Sequence, residues 1–228
     1  MIDHARDLES LREATERLLG AAAALDNAAV AEPSRLPGWS RGHVLAHIAR
    51  NADALTNVLE GRPMYPDSST RDADIERDAP RPLAVQLDDV RNTADRFRHS
   101  AARPADWSRV VALRNGVTDL AARVPFRRWI EIELHHVDLG VGRELEDLSE
   151  DFTGREIGFL TERFSGNPEV PSLTLAAPGG GTWRTGREEG TALAVTGSAP
   201  DLLGWLAGRR DGAALDCAGG GLPVLPPL

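Results

Sequence analysis

Lysine is missing from this 228-residue chain, and all 26 basic residues are arginine. That absence excludes a Schiff-base amine and the lysine of a phosphate-binding loop together. Any anion is left to guanidinium groups, whose paired donors suit planar carboxylates. Cysteine occurs once, at Cys217, so neither an internal disulfide nor a multi-cysteine zinc knuckle can form. Cys217 falls in a predicted strand and is expected to be a small buried hydrophobe. Long apolar runs are lacking too: none approaches the roughly 20 residues that span a bilayer. The charged opening "MIDHARDLES" has no apolar signal-peptide centre, so the cytoplasm is the expected location, with no membrane partner. Positive charge is in deficit, at a formal −9, which argues against nucleic acid or anionic lipid as a partner.

What is present is the make-up of a globular protein, 41% hydrophobic and 27% charged, long enough for one large domain or two small ones. The first part reads as helices. Leu8, Leu11, Leu18 and Leu19 recur at helical spacing over residues 5–25. After the break "AEPSRLPGW", Ser40 is placed to cap a helix that Gly61 closes. Residues 62–81 are rich in Pro, Asp, Arg and Ser and read as a long surface connection, long enough to suspect a functional loop. A third helix is expected over 82–102 and, after a loop around "RPADWS", a fourth from about Pro125 to Gly140 or Gly142. "SEDFTGREIGFLTERF" supplies one more helix. The texture then changes to short β-prone runs between Gly-rich turns, with strands expected near 172–177, 182–186, 191–196 and 213–217 and a helix from about Ala199 to Gly208. The expected architecture is α+β: an all-helical domain over 1–150 and a small α+β domain over 151–228. "PGGGTW" and "AGGGLP" lack the strand–loop–helix setting of a phosphate cradle and read as turns.

Histidine marks the helix capped by Ser40. His43 and His47 are four residues apart and project from one side. In the fourth helix Glu131 and His135 share one face, and Glu133 and His136 share another. A histidine from one helix with a carboxylate and histidine from a facing helix is a known way to hold a metal in a bundle, and three ligands leave one position open for catalysis. Spacing leaves open His43 or His47, and either Glu/His register. HExxH is absent, which disfavours a metalloprotease. Asp138 is placed to orient His135 or to neighbour His136. Trp39 is expected to pin the entry of its helix, and Trp129 and Trp205 to pack. His4 and His99 read as surface residues without a partner.

"LPGWSRGHVLAHIARNADAL" and "RRWIEIELHHVDLG" closely resemble the two hallmark segments of the mycothiol-dependent maleylpyruvate isomerase family, within the DinB-like metal-binding helical bundles. "DLLGWLAGR" extends the resemblance to the C-terminal part. The resemblance implies a DinB-like four-helix bundle followed by a small α+β domain. Its metal ligands fall on His47, Glu131 and His135, and its catalytic arginine on Arg209, with Arg210 adjacent. It implies mycothiol, the small thiol of actinobacteria, as co-substrate, and Zn²⁺ as metal, although imidazole and carboxylate donors also accept nickel, cobalt or iron. The implied partners are a small thiol and a small electrophilic acid, and the expected state is a monomer. The implied reaction is thiolate addition to maleylpyruvate, rotation, and elimination to fumarylpyruvate. Two alternatives carry over: a mycothiol S-transferase that leaves the thiol on its electrophile, and a non-catalytic ligand-binding DinB-like protein.

Overall fold

The computed structural model describes residues 2–67, 69–103, 105–218 and 220–227. The chain divides into two compact units, Met1–Arg143 and Glu144–Leu228.

In the first unit the helices are α1 (His4–Ala22), α2 (Asn27–Ala31), α3 (Arg41–Leu59), α4 (Thr70–Asp78), α5 (Leu83–Ala101) and α6 (Val124–Asp138). The four long ones close a ring: α3 packs on α5 and α6, and α1 packs on the same two. Leu18, Val44, Ile48, Val90 and Ile132 are fully buried where they meet. Each start has a local cause. Asp3 caps α1 by accepting from the Arg6 amide at 3.0 Å. Ser40 caps α3, and Pro125 stands in the first turn of α6, where its missing N–H costs nothing.

Two expectations about this unit are corrected, and one element is added. Residues 62–81 are not an irregular connection throughout, because α4 lies within them. Its charges are spent on ion pairs: buried Asp78 accepts from Arg50 at 3.0 Å and from Arg77 at 2.8 Å, and pairs with Arg81. Ile75 is the apolar anchor, so this helix owes its stability to tertiary contacts that periodicity does not register. Residues 103–124 hold an antiparallel hairpin, β1 (Val110–Ala112) and β2 (Thr118–Leu120), with Val111 opposite Asp119. The first helix stops at Ala22 rather than near 25, and Asp26 caps the short α2 after it.

In the second unit, α7 (Glu150–Phe164) and α8 (Ala199–Leu206) pack on each other. The strands are β3 (Leu173–Ala176), β4 (Thr182–Thr185), β5 (Leu193–Thr196) and β6 (Asp216–Cys217), in the order β4-β3-β5-β6. Among the described strands of this sheet β3 and β5 pair in parallel, and the other neighbours are antiparallel. Alternation buries Leu173 and Leu175 of β3 completely, and Phe152, Ile157, Leu202 and Leu203 complete that core. The strand expected over 213–217 shrinks to two residues, since the Asp211 carboxylate accepts from the Ala213 amide at 2.9 Å and folds 211–213 into a turn. Cys217 therefore sits half-buried on an edge strand, not in the core.

Candidate metal centre

The first turn of α3 decides which histidine is available. The Ser40 hydroxyl accepts from the His43 amide at 3.3 Å, and His43 Nδ1 accepts from the Ser40 amide at 3.2 Å, a reciprocal capping box. His43 is spent on that cap, with Nε2 at 3.4 Å from Glu76. One turn on, His47 is 5% exposed and faces α6. On α6, Arg128, Glu131 and His135 recur at i, i+3 and i+7 and share one face. The two helices meet as rungs: His47 opposes Glu131, and Asn51 opposes Arg128, whose Nη1 donates to Asn51 Oδ1 at 2.9 Å.

The structure brings His47, Glu131 and His135 to one point. Glu131 Oε2 lies 2.9 Å from His47 Nε2 and 3.2 Å from His135 Nε2, and one ligand atom from each lies within 4.8 Å of the others. The imidazoles meet edge to face with centroids 4.6 Å apart. Metal bonds of about 2.0–2.2 Å in a tetrahedron set neighbouring ligand atoms roughly 3.4 Å apart, so the separations fit one cation. The donor types fit as well, two imidazoles and a carboxylate.

Electrostatics prepares these groups unequally. Burial pushes His47 down to about 4, so its ring is neutral near pH 7. Burial also acts to lower His135, but the carboxylates of Asp138 and Glu131 outweigh it and raise this histidine above its ordinary value. Burial acts to raise Glu131, and the imidazoles of His135 and His47 overcome it and hold the carboxyl well below the usual range.

The other register serves structure. Glu133 is 2% exposed and accepts from Arg17 at 3.0 Å, Arg143 at 2.8 Å and the Trp129 indole at 3.3 Å, tying α1 and the turn after α6 to the helix. His136 is buried beside that charge cluster.

Two profile matches cover nearly the whole chain. The mycothiol maleylpyruvate isomerase N-terminal domain matches residues 11–140, and the MDMPI C-terminal domain matches residues 147–227. The chain belongs to the mycothiol maleylpyruvate isomerase family. Two solved structures share its fold: the crystal structure of the mycothiol-dependent maleylpyruvate isomerase, and that of a histidine-to-alanine mutant of it. Each has a TM-score of 0.89 at 23% identity, covering 99% of this chain and 97% of the other. No curated protein matches the chain.

Within this family member the remaining candidates take definite places. Asp138 orients His135, accepting from its Nδ1 at 2.8 Å, and is fully buried. Trp39 packs against the site, its ring 5.5 Å from that of His47. His4 is not without a partner: it stacks on Trp107 at 4.3 Å. His99 is exposed and bonds the Asp95 carbonyl at 2.7 Å. In the C-terminal unit Arg209 donates to the Ala207 carbonyl at 2.6 Å and lines a cavity of about 530 Å³ with Trp205 and Leu222. Arg210 is held by Asp201 at 2.6 Å and by Glu146 at 2.7 Å.

Three residues beside the triad were not singled out in the sequence. Arg71 on α4 donates to His47 Nδ1 at 3.3 Å, and its guanidinium lies 5.9 Å from the Trp39 ring centre. Tyr65 hydrogen-bonds Arg71, and burial raises its phenol. Arg128 is 1% exposed, with burial lowering it to about 10, so it stays charged. Arg128 and Asn51 were findable, one turn from Glu131 and His47 on the same faces. Arg71 carried no signal beyond its place in a segment suspected of function.

Proposed function

We propose that this chain is a mycothiol-dependent maleylpyruvate isomerase, a cytoplasmic monomer acting on small molecules, with a zinc ion held by His47, Glu131 and His135. The observation that carries the reading is the convergence of those three donors in a chain built from both domains of this family. When bound, zinc supplies a positive centre that converts a thiol of pKa about 8.5 to its thiolate at neutral pH. Two neutral imidazoles and one carboxylate leave the site a net positive charge, which favours an anionic sulfur. Asp138 holds the proton of His135 at Nδ1, which turns the Nε2 lone pair inward.

In the proposed reaction the thiolate sulfur bonds one carbon of the cis double bond. The remaining single bond rotates, and expulsion of the thiolate restores the double bond as trans. Addition builds negative charge on the carbonyl oxygen conjugated to that bond, and a guanidinium stabilises it through paired donors. Arg209 is the proposed donor, supported by the match of "DLLGWLAGR" to the family pattern.

The test is incubation of purified protein with mycothiol and maleylpyruvate, alongside elemental analysis. Fumarylpyruvate and about one equivalent of metal are expected. His47→Ala and His135→Ala should lose both metal and turnover while circular dichroism stays unchanged. Arg209→Ala should keep its metal and lose about 10²–10³-fold in turnover. A stable thioether in place of fumarylpyruvate would make the protein a mycothiol S-transferase, and active protein without metal would overturn the ligand assignment.

A further inference from the structure

In the N-terminal unit the end of α3 and the β1–β2 hairpin border a cavity of about 650 Å³, within the roughly 300–1,000 Å³ of small-molecule sites. Local geometry builds its walls. Gly61, at φ 75°, ends α3 in a left-handed turn. Its amide bonds the Val58 carbonyl at 3.1 Å and the Arg62 amide bonds the Asn57 carbonyl at 2.8 Å, which sets Arg62 on the cavity. Across from it, Asn115 and Gly116 both take positive φ, and the Leu113 amide bonds the Val117 carbonyl at 2.7 Å. Arg114 is thus presented, exposed, from a closed hairpin tip. Arg109, just before β1, donates to the Leu59 carbonyl at the end of α3 and ties the two walls together. Alternation along β1 turns Val111 into the core and Val110 and Ala112 out onto the cavity, leaving Val110 67% exposed.

The lining has a defined chemistry. In a chain of formal charge −9 it carries three arginines, Arg62, Arg109 and Arg114, against one acid, Asp67. That acid is engaged at the start of α4: its Oδ1 accepts from the Ser69 amide at 2.9 Å, the Ser69 hydroxyl at 2.6 Å and the Thr70 amide at 3.0 Å. An apolar strip between guanidinium groups suits a small organic acid, with its hydrocarbon against Val110 and Ala112 and its carboxylate on paired donors. Tyr65 joins this cavity to the triad. It lines the cavity, hydrogen-bonds Arg71 and feels the Glu131 carboxylate, and Arg71 lies 3.3 Å from His47. We propose that the cavity holds the carboxylate of the acid substrate that lies farther from the reacting double bond, with Arg114 as its main partner and Arg62 beside it. This deepens the proposed function and rests on its choice of an acid substrate. Arg114 is a binding residue, with a task separate from that of Arg209. The distant carboxylate carries the same charge before and after rotation, so the contact strengthens ground state and transition state alike and sets KM rather than kcat.

The test uses the full-length protein as purified. With mycothiol and maleylpyruvate, Arg114→Gln is expected to raise KM for the acid about tenfold, and Arg62→Gln with Arg114→Gln further, while kcat and the KM for the thiol stay within about twofold. Arg114→Lys should recover part of the loss. Ala112→Phe fills the cavity without changing its charge and should raise the same KM, which carries the test if the glutamine variants fail to fold by circular dichroism. Glutarate, a saturated diacid that cannot add a thiol, should shift the amide NMR signals of residues 110–116 in the wild-type protein and not in the double variant. Unchanged KM for the acid in Arg114→Gln and Ala112→Phe, or a rise in the KM for the thiol in its place, overturns this proposal alone. Wild-type protein that leaves maleylpyruvate unchanged overturns the choice of substrate and this proposal with it.

Discussion

Asp138 acts on the candidate metal centre through another residue. Fully buried, it accepts from His135 Nδ1 at 2.8 Å and holds both the ring orientation and the position of its proton. Asp138→Asn keeps the size but presents either a weaker acceptor or a donor to that nitrogen. Zinc affinity should fall about 10–100-fold, measured by competition with a chromophoric chelator, while the melting temperature of chelator-treated protein changes little. At this scale legibility was uneven. His47 and His43 look alike in sequence, both on one helical side, and the difference between them is that His43 closes a capping box with Ser40. The Glu131/His135 and Glu133/His136 pairs are equally good in spacing. Arg17 and Arg143, from other parts of the chain, claim Glu133 for structure.

At the scale of elements, α4 shows what local pattern omits. A run rich in Asp and Arg reads as a solvated loop until Arg50 of α3 and Asp89 of α5 are brought beside it. Gly42 makes that docking possible. A Cβ at this position would lie 2.3 Å from the Ala79 carbonyl oxygen, which follows α4 directly. Gly42→Ala should therefore push α4 away from α3 and cost about 1–3 kcal/mol in urea unfolding. Unaltered stability would show that the backbone after α4 gives way freely. The long helices and β3–β5 were readable because caps and periodicity are properties of neighbouring residues. The β1–β2 hairpin was not: its two three-residue strands carry little alternation, and their pairing, not their composition, makes them strands.

At the scale of the molecule, all three proposed ligands lie in the unit Met1–Arg143. Binding of a metal to the folded state alone stabilises what it bridges, by about 2.7 kcal/mol at a hundredfold excess over Kd. Hydrogen–deuterium exchange should show zinc slowing the amides of α3 and α6 while those of β3–β6 exchange as before, and His47→Ala should abolish the difference. Zinc protection of β3–β6 that survives in His47→Ala would place a metal elsewhere.

The sequence by itself determined the helical N-terminal part, the shift to an α+β C-terminal part, and the helix faces that carry histidine and carboxylate. Each of these depends on side chains within a few residues of one another. Only the tertiary structure decided that His47 meets Glu131 across 84 residues of chain, that Glu133 is consumed by arginines, and that Arg71 stands behind His47. Those outcomes depend on which helix faces which, and that is set by burial of the whole apolar surface at once rather than by any local run of residues.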